Sequence, residues 1–263
     1  MVNAQRYSQF IEQWKQVKFP ARPSPEELVI FDALMQEHQA QSLLILGSTP
    51  ELRDLGFKNH LRVTCIDINS DMLEGMKSLM HHQNPHEQLV KGNWLDMPFP
   101  DGAFDLVFAE QSIHIVPVHD FEKFLLQVKR VLNSTGTFVL KAMIVGDGDV
   151  ETILKKAREQ HRDVVCLHDK LFNHVANYVD GRAGYASFQK YLSRLLEAGK
   201  VTKEEYAAFI DVYGPLCKAD LQIFGLPKEA FETLLRQHFT IREIRYGEDF
   251  DKHELHPIYV LRK

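Results

Sequence analysis

The chain has 263 residues, 44% of them hydrophobic and 25% charged, with a formal net charge of −5 and a pI near 6.2. Such a length supports a sizeable core, as one domain with an insertion or two closely packed units, and the acidic balance argues against a general nucleic-acid binder, which carries a basic face. Cys65, Cys166 and Cys217 are odd in number and far apart; they argue against a disulfide framework or cysteine zinc site and read as reduced thiols of a cytoplasmic protein.

The N-terminal stretch Met1–Phe19 is polar, without the apolar centre of a secretory signal. No apolar run approaches the ~18 residues of a membrane span. Tyr7, Phe10, Ile11, Trp14 and Val17 recur at helical spacing and predict a helix over residues 4–18. Pro20, Pro23 and Pro25 break it, and Ser24 then caps a second helix that runs to Glu37, with Pro25 first and Glu26 and Glu27 at its positive end.

Ser42–Leu46 is a short apolar run closed by Gly47, with the pattern of a buried parallel strand. A helix restarts at Pro50. Further strands are expected at Arg62–Asp67, Glu87–Lys91, Phe104–Ala109 and Gly136–Ala142, with helices at Ser70–His81 and Phe121–Leu132 between them. This alternation implies parallel βαβ units. From Gly146 to Phe224 the periodicity is helical and no strand is evident. A helix over Pro227–His238 and two strands, Thr240–Tyr246 and Ile258–Leu261, complete the chain as an antiparallel edge. The expected divisions are N-terminal cap helices (1–39), a core of alternating strands and helices (40–145), a helical insertion (146–225), and a C-terminal helix and hairpin (226–263).

In open α/β sheets ligands bind outside the carboxyl ends of the strands. Gly47 lets the backbone approach a ligand there, and Thr49 can cap the next helix; an ordinary strand–turn–helix explains both equally well. Asp67 ends an apolar strand twenty residues after Gly47. A carboxylate at that place can accept both ribose hydroxyls of an adenosine, or it can cap the helix that begins nearby. Ile68 and Met72 are apolar walls for an adenine or plain core.

The run Gly92-Asn93-Trp94-Leu95-Asp96-Met97-Pro98-Phe99-Pro100-Asp101-Gly102-Ala103-Phe104-Asp105-Leu106-Val107, followed by Arg130-Val131-Leu132-Asn133-Ser134-Thr135-Gly136, resembles the central motifs of small-molecule methyltransferases of the Rossmann-like class that use S-adenosylmethionine. The similarity covers about residues 40–143. It implies a doubly wound, mostly parallel seven-stranded sheet with an antiparallel C-terminal edge, S-adenosylmethionine as cofactor with S-adenosylhomocysteine as product, and in-line transfer to a small acceptor. Two positions depart from the usual pattern. The first loop lacks its acid and later glycines: Ile45, Thr49 and Glu51 stand there, and Gly47-Ser48-Thr49-Pro50-Glu51-Leu52 is similar to a bacterial branch with a G-x-T-P-E-L loop. Asn93 stands where an acid commonly reads the adenine amino group; its amide oxygen can still accept. The resemblance thus implies cofactor contacts at Gly47, Ser48, Thr49, Asp67, Ile68, Met72, Asn93, Trp94 and Glu110. Trp94 covers the adenine face or anchors the core.

The same resemblance points the loop after Phe104–Ala109 at the transferable methyl, and makes Glu110 and His114 the candidate catalytic pair. If a helical turn follows the strand, the two share one face, with the carboxylate orienting an imidazole base; a cofactor contact for Glu110 and a packed His114 are the structural alternatives. His161, His168 and His174 in the insertion lack metal-ligand spacing, and no metal is expected. Other function classes fit the sequence as well: a cofactor-binding regulatory protein without turnover, or a methyltransferase acting on protein or RNA. A nicotinamide dehydrogenase is disfavoured by the missing GxGxxG.

Overall fold

The computed structural model describes residues 14, 19–38, 40–146, 148–159, 171–174, 178, 180–219, 222–250 and 253–263. Among these the chain divides into two compact units. One comprises the residues up to Ile113 with Asp120–Ala142 and Leu234–Lys263; the other comprises His114–His119 and Met143–Thr233. The expected helix over residues 4–18 lies outside the described residues except for Trp14.

The first unit is built on a seven-stranded sheet. Its strands are β1 (Ser42–Leu46), β2 (Arg62–Asp67), β3 (Gln88–Lys91), β4 (Phe104–Glu110), β5 (Leu132–Lys141), β8 (Thr240–Arg245) and β9 (Ile258–Arg262), in the order β3-β2-β1-β4-β5-β9-β8. Strands β1 to β5 pair in parallel, and β9 runs antiparallel to both β5 and β8. The antiparallel strand therefore sits one place in from the edge. The order reverses between β1 and β4, which is where open α/β sheets hold ligands.

Helix α1 (Pro25–Glu37) leads into β1, and helices α2 (Pro50–Lys58), α3 (Ser70–Gly75) and α4 (Phe121–Val131) connect successive strands. Every residue of β1 is buried, as expected of a parallel strand covered on both faces. Phe31 and Leu34 of α1 pack with Leu43, Ile45, Val63, Leu106 and Phe108 in one core. Helix α4 buries Phe121, Phe124, Leu125, Val128 and Val131, the i, i+3, i+4, i+7 stripe of an amphipathic helix. Ser24 caps α1 through a capping box with Glu27. Helix α3 is shorter than its periodicity suggests: it ends at Gly75 and continues as a 3₁₀ turn over Met76–Leu79. Strand β5 begins at Leu132 rather than Gly136, because its register against β4 shifts between Phe104 and Leu106.

In the second unit are α5 (Val150–Glu159), α6 (Tyr185–Glu197) and α7 (Lys203–Ala219), with β6 (Arg182–Gly184) and β7 (Gln222–Phe224) paired antiparallel. The strands correct the all-helical expectation. At three residues each they are too short to show alternation, and their pairing joins positions some forty apart in sequence. The core here packs aliphatic side chains such as Leu171, Leu192 and Leu195 around an aromatic group, in which Phe188 meets Phe172 and Phe209 edge to face with centroids 5.2 Å apart in both pairs. Helix α8 (Lys228–His238) then leads back to β8.

Candidate functional site

The parallel pairing of β1 and β2 aligns Leu46 with Ile66 and so brings Gly47 and Asp67 to one end of the sheet. Gly47 has φ +112°, a conformation that a side chain rarely tolerates. Its N–H donates to the Ile66 carbonyl at 2.9 Å. The same carbonyl accepts the indole N–H of Trp94 at 2.8 Å. Trp94 also packs edge-on against Phe124 at 6.3 Å, so it is anchored at the carboxyl end of β2. Ser112, after β4, donates its hydroxyl to the Leu46 carbonyl at 2.5 Å. The reversal point between β1 and β4 is thereby closed by short polar contacts around one glycine.

Asp67 is not the cap of α3. That task falls to Asn69, whose side chain accepts from the N–H groups of Asp71 and Met72. Asp67 Oδ1 accepts from the Asn69 N–H at 2.8 Å. Burial pushes its carboxyl above the usual range, against backbone hydrogen bonds that pull it down. Next to it Ile68 is 68% exposed, a large apolar side chain left uncovered at the strand end. Gly92 closes the far side: its N–H donates to the Asp67 carbonyl at 2.9 Å, and a Cβ there would meet Ile66 at 2.8 Å. Asn93 Oδ1 accepts from the Leu95 N–H at 2.9 Å, leaving that oxygen one lone pair for a further donor. Met72 is half-buried on α3. Thr49 occupies the N-cap position of α2 without making a side-chain cap. Its ψ of 111° departs from the extended 163° at which Ser24 caps α1.

The expected carboxylate–imidazole pair is corrected by the geometry. Gln111 follows β4 at φ +58°, and Ser112–Ile115 form a 3₁₀ turn, so i, i+4 stacking on an α-helical face does not apply. Glu110 Oε1 instead takes the ammonium of Lys141 at 3.1 Å. Lys141 also donates to Glu27 at 2.8 Å and to the Pro20 carbonyl at 3.0 Å. Three donors of one fully buried ammonium are thus used, two of them on carboxylates. Burial raises Glu110 to about 7, and the Lys141 charge only partly offsets it; burial raises Glu27 as well. His114 is 2% exposed. Its Nε2 accepts from the Met143 N–H at 2.6 Å, and its Nδ1 lies 2.7 Å from the Phe224 carbonyl, which fixes Nδ1 as the donor. Burial lowers it to about 4. In this arrangement both nitrogens of the neutral imidazole are engaged by the main chain.

Lys141 and Glu27 were not expected at this site. Lys141 is the one charge in the run Thr137–Val145, and a lone lysine inside an apolar strand is a signal of a buried pair. Among the described residues there is no cluster of three or more His, Cys, Asp or Glu able to hold a metal, and no helix long and apolar enough to cross a membrane. His161 and His168 lie outside the described residues.

Residues 47–140 match the family described as "Methyltransferase domain". That stretch runs from the first loop to the end of β5 and is a little over a third of the chain. Among curated proteins, the fatty-acid O-methyltransferase of Mycolicibacterium smegmatis is 37% identical over 76 residues, 29% of this chain and 26% of that protein. The ajmaline N-methyltransferase of Rauvolfia serpentina is 44% identical over 57 residues, 21% and 19% of the two chains. The human eEF1A lysine and N-terminal methyltransferase is 27% identical over 101 residues, 36% of this chain and 14% of that one. The chain therefore spans about a quarter or less of these relatives' lengths.

Two solved structures are similar over nearly the whole fold. A Rhodobacter sphaeroides protein described as a zinc-dependent alcohol dehydrogenase superposes with TM-score 0.62 at 16% identity, covering all of both chains. The 1,6-didemethyltoxoflavin-N1-methyltransferase of Burkholderia thailandensis, bound to its namesake compound and S-adenosylhomocysteine, gives TM-score 0.54 at 12% identity, over 100% of this chain and 91% of that one. At such identities the likeness shows the fold. The fold is Rossmann-like, and within it residues 47–140 carry the match to a methyltransferase domain.

Proposed function

We propose that the protein is an S-adenosylmethionine-dependent methyltransferase acting on a small-molecule acceptor. The observation that carries this reading is the strand-end cradle of Asp67, Gly47, Gly92 and Trp94. Asp67 is relieved of helix capping by Asn69, is half-enclosed, and stands beside an exposed Ile68. Such a carboxylate suits ribose hydroxyls, and the apolar side chain suits an adenine face. The residues fit the cofactor on chemistry alone. Asp67 would hold the ribose; Ile68, Met72 and Trp94 would bound the adenine; Asn93 would meet its amino group; Gly47, Ser48 and Thr49 would line the other end. The cofactor supplies a methyl group on a sulfonium, already a strong electrophile. What the chain adds is alignment and exclusion of water, which alone lower barriers by several kcal/mol, ~7–11 in favourable cases.

For the acceptor side we assign Glu110, whose buried carboxyl titrates near neutrality, as the group that takes a proton where an acceptor must lose one. His114 is assigned to holding the Met143 and Phe224 main chains. A small acceptor is supported by the fatty-acid O-methyltransferase and ajmaline N-methyltransferase among the relatives and by the acidic net charge. The test is transfer of label from methyl-labelled S-adenosylmethionine into a metabolite extract, with products separated by size. Label in the small-molecule fraction that is lost in Asp67→Ala supports the reading. Label in protein or RNA only, or cofactor binding with no transfer to any fraction, overturns the assigned acceptor class.

A further inference from the structure

Beside the first loop lies a charged cluster outside the cradle described above. Arg22 Nη2 pairs with Glu51 Oε1 at 2.5 Å, and Trp14 donates its indole N–H to the same oxygen at 3.2 Å. The Arg22 guanidinium also lies over the Trp14 ring, 5.9 Å from its centroid. Glu51 is the second residue of α2, four positions after Gly47. Arg22 Nη1 donates to the Trp14 carbonyl at 3.4 Å, while two enclosed atoms of the cluster, Arg22 Nε and Glu51 Oε2, have no hydrogen-bond partner. A cation with a spare donor and an anion with a spare acceptor, side by side, is an unfinished arrangement.

We infer that Arg22 and Glu51 recognise the α-amino acid end of the cofactor, Arg22 taking its carboxylate and Glu51 its ammonium. This rests on the S-adenosylmethionine reading above. The zwitterion carries the complementary pair of charges at adjacent atoms, so binding exchanges one partly exposed ion pair, worth little by itself, for two charge-assisted ones. It also accounts for a first loop with a single glycine: contacts that backbone N–H groups of a glycine-rich loop would make are supplied by side chains from Arg22 and from α2. Trp14 holds Glu51 in place through its indole N–H.

The experiment compares two ligands by calorimetry. S-adenosylhomocysteine carries the amino acid end; 5′-methylthioadenosine keeps the adenosine and thioether and lacks it. Arg22→Gln and Glu51→Gln should each weaken S-adenosylhomocysteine by about tenfold or more and leave 5′-methylthioadenosine within about twofold, with Asp67→Ala weakening both. A second readout is spectroscopic. Trp14 and Trp94 are the chain's two tryptophans, so in Trp94→Phe saturating S-adenosylhomocysteine should shift the emission of Trp14, and 5′-methylthioadenosine should not. Unchanged S-adenosylhomocysteine affinity in both folded variants, or equal loss of both ligands, overturns the inference and leaves the pair a structural pin. Failure of the unmodified protein to bind either ligand overturns the cofactor reading on which it rests.

Discussion

The two units treat burial in opposite ways. At the strand ends of the sheet unit, charge is kept inside: Lys141, Glu27 and Glu110 have side chains 0%, 0% and 6% exposed and hold one another. In the helical unit aromatic side chains share the interior with aliphatic ones, and burial keeps His114 neutral while its two ring nitrogens sit on main-chain partners. Glu110 and His114 are four residues apart in sequence yet belong to different units, and their proton affinities move in opposite directions, to about 7 and about 4. The same physical cause, loss of water around a charge, acts on both; it raises an acid and lowers a base. The methyltransferase-domain match covers residues 47–140, most of them in the sheet unit.

The sharpest way to break this contrast is to remove the buried ammonium. Lys141→Met leaves two buried carboxylates without a counter-charge, and should cost about 3–5 kcal/mol in urea unfolding. Adding Glu27→Gln and Glu110→Gln should recover most of that. A single variant as stable as the parent would show that the network does not hold the strand ends together.

Next comes pH. The unfolded imidazole titrates near 6.5 and His114 in the fold at about 4, so the unfolded chain binds more protons between these values. Its contribution is complete above pH 6.5 and is lost as pH falls toward 4, by about 3 kcal/mol. Glu110 runs the other way. Its folded value of about 7 exceeds the unfolded 4.5, so its contribution is present below pH 4.5 and is lost as pH rises through 7, again by about 3 kcal/mol. Stability against pH for His114→Gln should lose the first slope and for Glu110→Gln the second; parallel curves for all three proteins would contradict the contrast.

A smaller effect is expected at the cofactor cradle. Asp67→Ala should weaken S-adenosylhomocysteine by about 1.5–3 kcal/mol, the loss of hydrogen bonds to an ionised acceptor, read by calorimetry on folded protein. The smallest is Trp94→Phe, which removes the indole bond to the Ile66 carbonyl. It should cost about 1 kcal/mol of stability, since Gly47 still satisfies that carbonyl; a cost several times larger would make Trp94 a core anchor first.

Local pattern made much of the sheet legible. Ser42–Leu46 and Arg62–Asp67 stand out because parallel strands covered on both faces need unbroken apolar runs, and Gly47 and Asp67 are readable as their polar ends. Ser24 with Pro25 and Glu27 announces a helix start because capping is satisfied within four residues. The three-residue strands β6 and β7 were not legible, because their stability comes from each other across the helices between them. Glu110 and His114 looked like a helical pair because spacing is all that sequence offers there; a left-handed Gln111 and a 3₁₀ turn separate them.

Sequence by itself thus determined the alternation of strand and helix, the sheet's core-facing runs and the placement of a carboxylate at the end of β2. These depend on the order of residues along a short stretch. Only the tertiary structure decided that Lys141 answers Glu27 and Glu110, and that His114 binds Met143 and Phe224. It alone brought Arg22 to Glu51 across 29 positions. A buried charge takes as partner whatever the fold brings within about 3 Å, and no local pattern records which residue that will be.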